Sequence, residues 1–305
     1  MQNARLPRIR SGARHLATVC ALRGLAALPN ACATATKLGD GRPYPEASAQ
    51  LPETYATLMR IGDASRAANE LPAAVRLYRR ANSLDPNKIA PLLRLGETLN
   101  AMQAFNEAAT AYRHALKIDP KNAEALLGLG NVFVSLDQLG HARDYLARAQ
   151  IAAPQDARVF SSEGVVLDMK GDHDAAQARY RAGLAFAPDD PSLINNLALS
   201  LALSGRYDAA IAELRPLALG PQATPRVRQN LALIYGLAGR LDEAARLGRV
   251  DLDDSSVQNN LAYYGELRAL ANSTRSAAVG ASPAASVSAT PAPTPAMPAD
   301  TQTAH

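Results

Sequence analysis

Four prolines, Pro86, Pro120, Pro154 and Pro188, recur at a constant spacing of 34, and the same skeleton precedes each of them. Gly62, Gly96, Gly130 and Gly164 lie 24 upstream, and Ala74, Ala108, Ala142 and Ala176 lie 12 upstream. Tyr78, Tyr112, Leu146 and Tyr180 lie 8 upstream, with Ala81, Ala115, Ala149 and Gly183 at 5. A period of this length means stacked units, none of which buries its apolar face alone. Apolar pairs such as Leu92 and Leu95 share one helix face. The glycine that follows, Gly96, leaves room for the second helix of a pair, and Ala108 supplies a small surface opposite. Asp85-Pro86 and Asp119-Pro120 end the second helices, because proline disfavours helix in the residue before it. Asn87 and Asn122 are then placed to start the next turn or cap.

This pattern resembles the tetratricopeptide repeat. The resemblance implies an all-α fold, a right-handed superhelix (solenoid) of helix pairs between disordered termini. Repeats are expected at 55–88, 89–122, 123–156, 157–190 and 191–224, the last losing phase at Leu219-Gly220-Pro221. A degenerate unit follows at 225–251 and a capping helix at 256–271, which together make a solenoid over 55–271. First helices then line a concave face. By the template, the second, fifth, ninth and twelfth places of each repeat point inward. These candidate protein-groove residues are Met59, Asp63, Arg66, Leu93, Glu97, Asn100, Glu124, Leu127, Asn131, Arg158, Ser161, Asp168 and Asn195. Their mixture of amides, charges and aliphatic groups suits an extended peptide or a partner helix.

Residues 1–31 hold five arginines and no acid, then a short apolar stretch, then small residues around Cys32. That order reads as a secretory or lipoprotein-like leader. Cys32 stands where lipidation would occur, with Pro29 in the place of the usual aliphatic residue, and Ala33-Thr34-Ala35 offers a non-lipid cleavage site. Residues 32–54 read as a flexible tether, and 272–305, rich in Ala, Pro, Ser and Thr, as a disordered tail. The leader changes the meaning of the net charge of +4. Without its five arginines the 32 basic residues become 27, against 28 acidic ones. No apolar run approaches the ~20 residues of a spanning helix.

The sequence offers no catalytic apparatus, and no cofactor is expected. Its five histidines are scattered and form no metal spacing. Gly128-Leu-Gly130 lacks the third glycine and the preceding strand of a dinucleotide loop. The repeats alternate in sign, as in Glu70/Arg76 and Asp172/Arg179, so no basic stripe points to nucleic acid.

A narrower resemblance lies at the C-terminal end. Asn-Asn-Leu-Ala at 195–198, Gln-Asn-Leu-Ala at 229–232 and the segment Ser256-Val-Gln-Asn-Asn-Leu-Ala-Tyr-Tyr-Gly-Glu-Leu-Arg268 are similar to the tight-adherence (Flp) pilus assembly tetratricopeptide lipoproteins. The resemblance implies an outer-membrane, periplasm-facing scaffold in a bacterial cell envelope, anchored through Cys32 and binding the secretin or other pilus-assembly components. The alternative expectation is a cytoplasmic adaptor or co-chaperone. The basic fifth place of chaperone-tail clamps is absent, since Met59, Leu93, Leu127 and Ser161 occupy it.

Overall fold

The structure is a computed structural model that describes residues 53–280. Thirteen helices make up the described residues, with no strand. Six antiparallel pairs come first: α1 (Tyr55–Ala67) with α2 (Leu71–Leu84), α3 (Ala90–Ala101) with α4 (Phe105–Ile118), α5 (Ala123–Ser135) with α6 (Leu139–Ala152), α7 (Ala157–Met169) with α8 (His173–Leu184), α9 (Pro191–Leu203) with α10 (Tyr207–Leu219), and α11 (Pro225–Leu237) with α12 (Leu241–Gly248). A long helix, α13 (Asp254–Gly280), closes the array against α11 and α12. Each helix packs on the next. From α3 onward the first helices of neighbouring pairs also touch one another: α3 on α5, α5 on α7, α7 on α9, α9 on α11. This is the tetratricopeptide solenoid, with the first helices gathered on the inner side.

Local chemistry sets the helix limits. Thr54, Asn122, Asp156, Asp190 and Thr224 accept from backbone N–H groups at the starts of α1, α5, α7, α9 and α11. Asn87 does not cap: α3 follows Ile89, which is itself in the α region, and starts on Ala90-Pro91. The turn inside every pair places one residue in left-handed backbone, and these residues keep the phase of the repeat: Asn69, Gln103, Asp137, Gly171, Gly205 and Gly239. The first three stand near φ +60° and the glycines near φ +80°, a region that costs a Cβ-bearing residue about 1–2 kcal/mol.

Two expectations change. The phase survives the fifth unit, because α11 begins at Pro225, one full period after Pro191, despite Pro216 inside α10 and the irregular stretch after it. The closing helix is longer than 256–271 and runs on to Gly280, into the segment assigned to the tail. At the other end, Thr54 and Glu53 of the presumed tether are tied down, Thr54 as the α1 cap and Glu53 by a two-pronged contact with Arg80 at 3.0 and 2.9 Å. Cys32, the leader and 281–305 lie outside the described residues.

The repeat glycines make room for a ring rather than for a backbone. A Cβ on Gly62, Gly96 or Gly164 would stand 2.7, 2.7 or 2.3 Å from the ring of Tyr78, Tyr112 or Tyr180. At Gly130 the neighbour is Leu146 at 2.7 Å. Gly128 serves a second approach of Tyr112, at 2.3 Å, so neither glycine of the Gly128-Leu-Gly130 segment is left for a phosphate loop. The buried apolar residues form two clusters, one from Ala74 to Val166 and one from Ala176 to Tyr264, which meet at the α7–α8 pair.

Candidate functional site: the inner face

The inner face divides where the cores divide. Over α3, α5 and α7 it is polar. A cavity of about 380 Å³ is lined there by Glu97, Asn100, Glu124, Leu127, Asn131, Arg158 and Ser161, all of them groove residues expected from the sequence. Their charges are largely spent on one another. Arg94 Nη1 lies 3.0 Å from Glu97 and 3.6 Å from Glu124, and its Nε lies 3.8 Å from Asp63. Arg66 reaches Glu97 at 3.2 Å, and Arg158 folds back on Asp156 at 2.7 Å. Burial, then the hydrogen bond and negative charge of Glu97, raise the pKa of Glu124. Asn100 keeps a buried Oδ1 with no partner, a free acceptor in the cavity wall.

Two of the expected groove residues, Leu93 and Met59, serve the core instead, and Leu127 serves both the core and the cavity wall. Leu93 and Leu127 are buried in the first cluster, and Met59 packs against it. Asp63 is held from behind: Tyr78 Oη donates to its Oδ1 at 2.7 Å, and burial together with that carboxylate pushes the phenol up to about 12. The same device recurs, more deeply buried, at Asp168. Its Oδ2 accepts from Tyr180 Oη at 2.9 Å, and its Oδ1 accepts from Ser200 Oγ at 2.7 Å and lies 2.8 Å from His173 Nδ1. Burial first, then the Asp168 charge and hydrogen bond, hold Tyr180 far above its ordinary value. Asp168 thus ties α7, α8 and α9 together.

Asn195 is also structural. It sits in a ladder across three first helices: Asn230 Nδ2 donates to Asn195 Oδ1 at 2.7 Å, Asn195 faces Asn196 at 3.4 Å, and Asn196 Nδ2 donates to Ser161 Oγ at 3.2 Å. Asn195 and Asn230 are both buried, and a buried amide needs such partners. The ladder gives the Asn-Leu-Ala segments at 195–198 and 229–232 a physical role.

Over α7, α9 and α11 the face turns apolar. A second cavity of about 200 Å³ is walled by Val165, Leu199 and Leu233, with Met169, Leu203 and Leu237 one turn further along, and two of the expected groove residues, Asp168 and Asn195, also line it. Each trio keeps the phase of the repeat. The first trio occupies the ninth place, where repeats one to three carry Asp63, Glu97 and Asn131. The second occupies the thirteenth place, which the inward template does not include. The phase of Val165, Leu199 and Leu233 was the signal that could have found this site.

Among the described residues no group of three or more His, Cys, Asp or Glu side chains is placed to hold a metal, and no helix is long and apolar enough to cross a membrane.

Comparison with known proteins agrees with this geometry. The profile of a TPR repeat matches residues 96–137, and that of a tetratricopeptide repeat matches 164–225. Over these residues the chain thus carries tetratricopeptide repeats, a fold used to bind other proteins. A tetratricopeptide repeat protein from Parabacteroides merdae superposes with a TM-score of 0.59 at 18% identity, over 71% of this chain and 86% of its own. A thermophilic TPR protein of Thermus thermophilus gives 0.55 at 22% identity, over 59% and 98%. The Pseudomonas aeruginosa pilF protein gives 0.55 at 20% identity, over 68% and 97%. At these identities the likeness is one of fold. No curated protein matches the chain by sequence.

Proposed function

We propose that the chain is a non-enzymatic scaffold for tight-adherence pilus assembly, exported and held at the outer membrane through a lipidated Cys32. The observation that carries the binding role is the row of first helices. From α3 onward they touch in succession and leave two cavities along one inner face. Function follows from this surface: the helix pairs preform a groove, so a partner segment docks without the chain having to order itself. The assignment to pili rests on the closing Ser256–Arg268 segment and on the basic, apolar, small order of the leader. The partner is then the secretin or another subunit of the secretion machine.

Deletion of the gene, followed by staining for pili, tests the pilus role, and normal piliation and adherence would refute it. Cell fractionation of wild type and Cys32→Ser tests the anchor. Wild type is expected in the membrane fraction and the variant is expected to leave it. A wild type found in the cytosol would overturn the envelope location.

A further inference from the structure

The apolar cavity over α7, α9 and α11 has a mouth with a charge to spare. Arg226, in the first turn of α11, lines it and is exposed. Among the described residues it makes no ion pair or hydrogen bond. Its counterpart two repeats earlier, Arg158, holds the same second place, but there the helix cap is Asp156, which takes the guanidinium at 2.7 Å. The cap of α11 is Thr224, which brings no charge. Arg66 and Arg94 on the polar half are likewise paired. Arg226 is therefore the groove arginine left with its donors unused, and it borders the most apolar stretch of the inner face.

The cavity is small. At about 200 Å³ it falls below the roughly 300–1,000 Å³ of pockets that enclose a whole small molecule. It suits a side chain whose backbone stays in the groove. A guanidinium beside it selects a carboxylate, which it grips with two parallel bonds. Building on the interaction-scaffold reading, we propose that this half of the groove docks a separate protein segment that puts one large apolar side chain into the cavity and a carboxylate on Arg226. The carboxylate is an Asp or Glu side chain of the segment, whose backbone runs on along the groove.

The test is a random-peptide phage library panned on the full chain, once with internally displayed peptides and once with free carboxyl termini. The expected enrichment is Leu, Ile, Met or Phe with a carboxylate close by. Enrichment in the internal format is the expected result, and enrichment confined to the free-terminus format would overturn the side-chain carboxylate. Synthetic forms of the enriched peptides are then titrated by fluorescence anisotropy. Arg226→Glu should weaken them about tenfold to a hundredfold, the range for a charged hydrogen bond lost, and panning on that variant should switch the enrichment to Lys or Arg. This variant is expected to fold, since Arg226 is exposed and an acid suits the first turn of a helix. Leu199→Ser should abolish binding, while Ile151→Ser, on a surface residue outside both cavities, should leave it unchanged.

Peptides that bind but respond to Glu97→Gln and not to Arg226→Glu would overturn this inference and leave the scaffold reading standing. A folded chain that enriches no peptide would overturn both. Competition by a synthetic peptide of residues 281–305, which carries Met297 and Asp300, at an affinity equal to that of the selected peptides would make the chain its own occupant and refute a separate partner.

Discussion

The two halves of the inner face share helices, phase and turn positions, and differ in what they leave available. In the first half the ninth place carries Asp63, Glu97 and Asn131, and the charges around it pair among themselves. In the second half the same place carries Val165, Leu199 and Leu233, and Arg226 stands unpaired beside them. The fifth place changes in the opposite sense, from Met59, Leu93 and Leu127 to Ser161 and Asn195. The apolar stripe thus moves sideways along the groove at α7. Where the fifth place is apolar it packs into the core, with Leu127 also bordering the polar cavity. Where it is polar it joins the amide ladder, and the aliphatic side chains are left facing the groove. A repeat can conserve its fold while its binding surface is rewritten, because the packing seam and the inner face lie on different sides of the same helix.

The most severe break in this comparison is expected at the junction. Asp168→Ala removes the acceptor shared by Tyr180 and Ser200, and should cost about 3–5 kcal/mol, since a buried hydrogen-bonded charge network is lost. Asp168→Asn should recover part of it. Urea unfolding checks both, and an Ala variant within about 1 kcal/mol of wild type, the worth of one ordinary hydrogen bond, would remove Asp168 as the tie. Next come the ring sites. Gly164→Ala should cost about 1–3 kcal/mol, because its new methyl meets a tyrosine ring that is itself pinned to Asp168. Gly130→Ala should cost less, since the branches of Leu146 can turn aside. Equal losses in thermal melts of the two variants would deny the difference.

Asn230→Ala should cost about 1–2 kcal/mol by leaving the buried Asn195 Oδ1 without its donor. The loss should fall on the second half, so hydrogen exchange should speed up in α9 and α11 before α3 and α5. Uniform acceleration would contradict the split. The smallest effect is expected in the polar half. Glu124 has a folded pKa above its ordinary 4.5, so it holds its proton more tightly when folded. That favours folding in acid, and the contribution is lost as pH rises from 4.5 through the folded value. Glu124→Gln should therefore flatten the pH dependence above that point and leave the neutral melting temperature equal or slightly higher. A variant that loses stability more steeply as pH rises would reverse the sign.

Much of the fold was legible because the repeat states it several times. Tyr78, Tyr112 and Tyr180 recur at one place, and the left-handed turn recurs at Asn69, Gln103 and Asp137 as faithfully as at Gly171. The groove was legible only in part. The inward places found the polar cavity and two residues of the apolar one, Asp168 and Asn195, yet they also named Leu93, whose burial depends on how closely the next helix pair approaches. They missed Met169, Leu203 and Leu237, since the thirteenth place reaches the inner face only once the superhelix curves the first helices together.

The sequence by itself determined the period and the helix pairs, since these depend on contacts within a single repeat unit and are written again in each copy. Only the tertiary structure decided which charges are spent and which remain. Arg158 and Arg226 hold the same place in the repeat. The cap two residues earlier is local, Asp156 for one and Thr224 for the other, and only stacking settles that among the described residues no acid of a neighbouring repeat pairs with Arg226, as Asp63 and Glu124 do with Arg94.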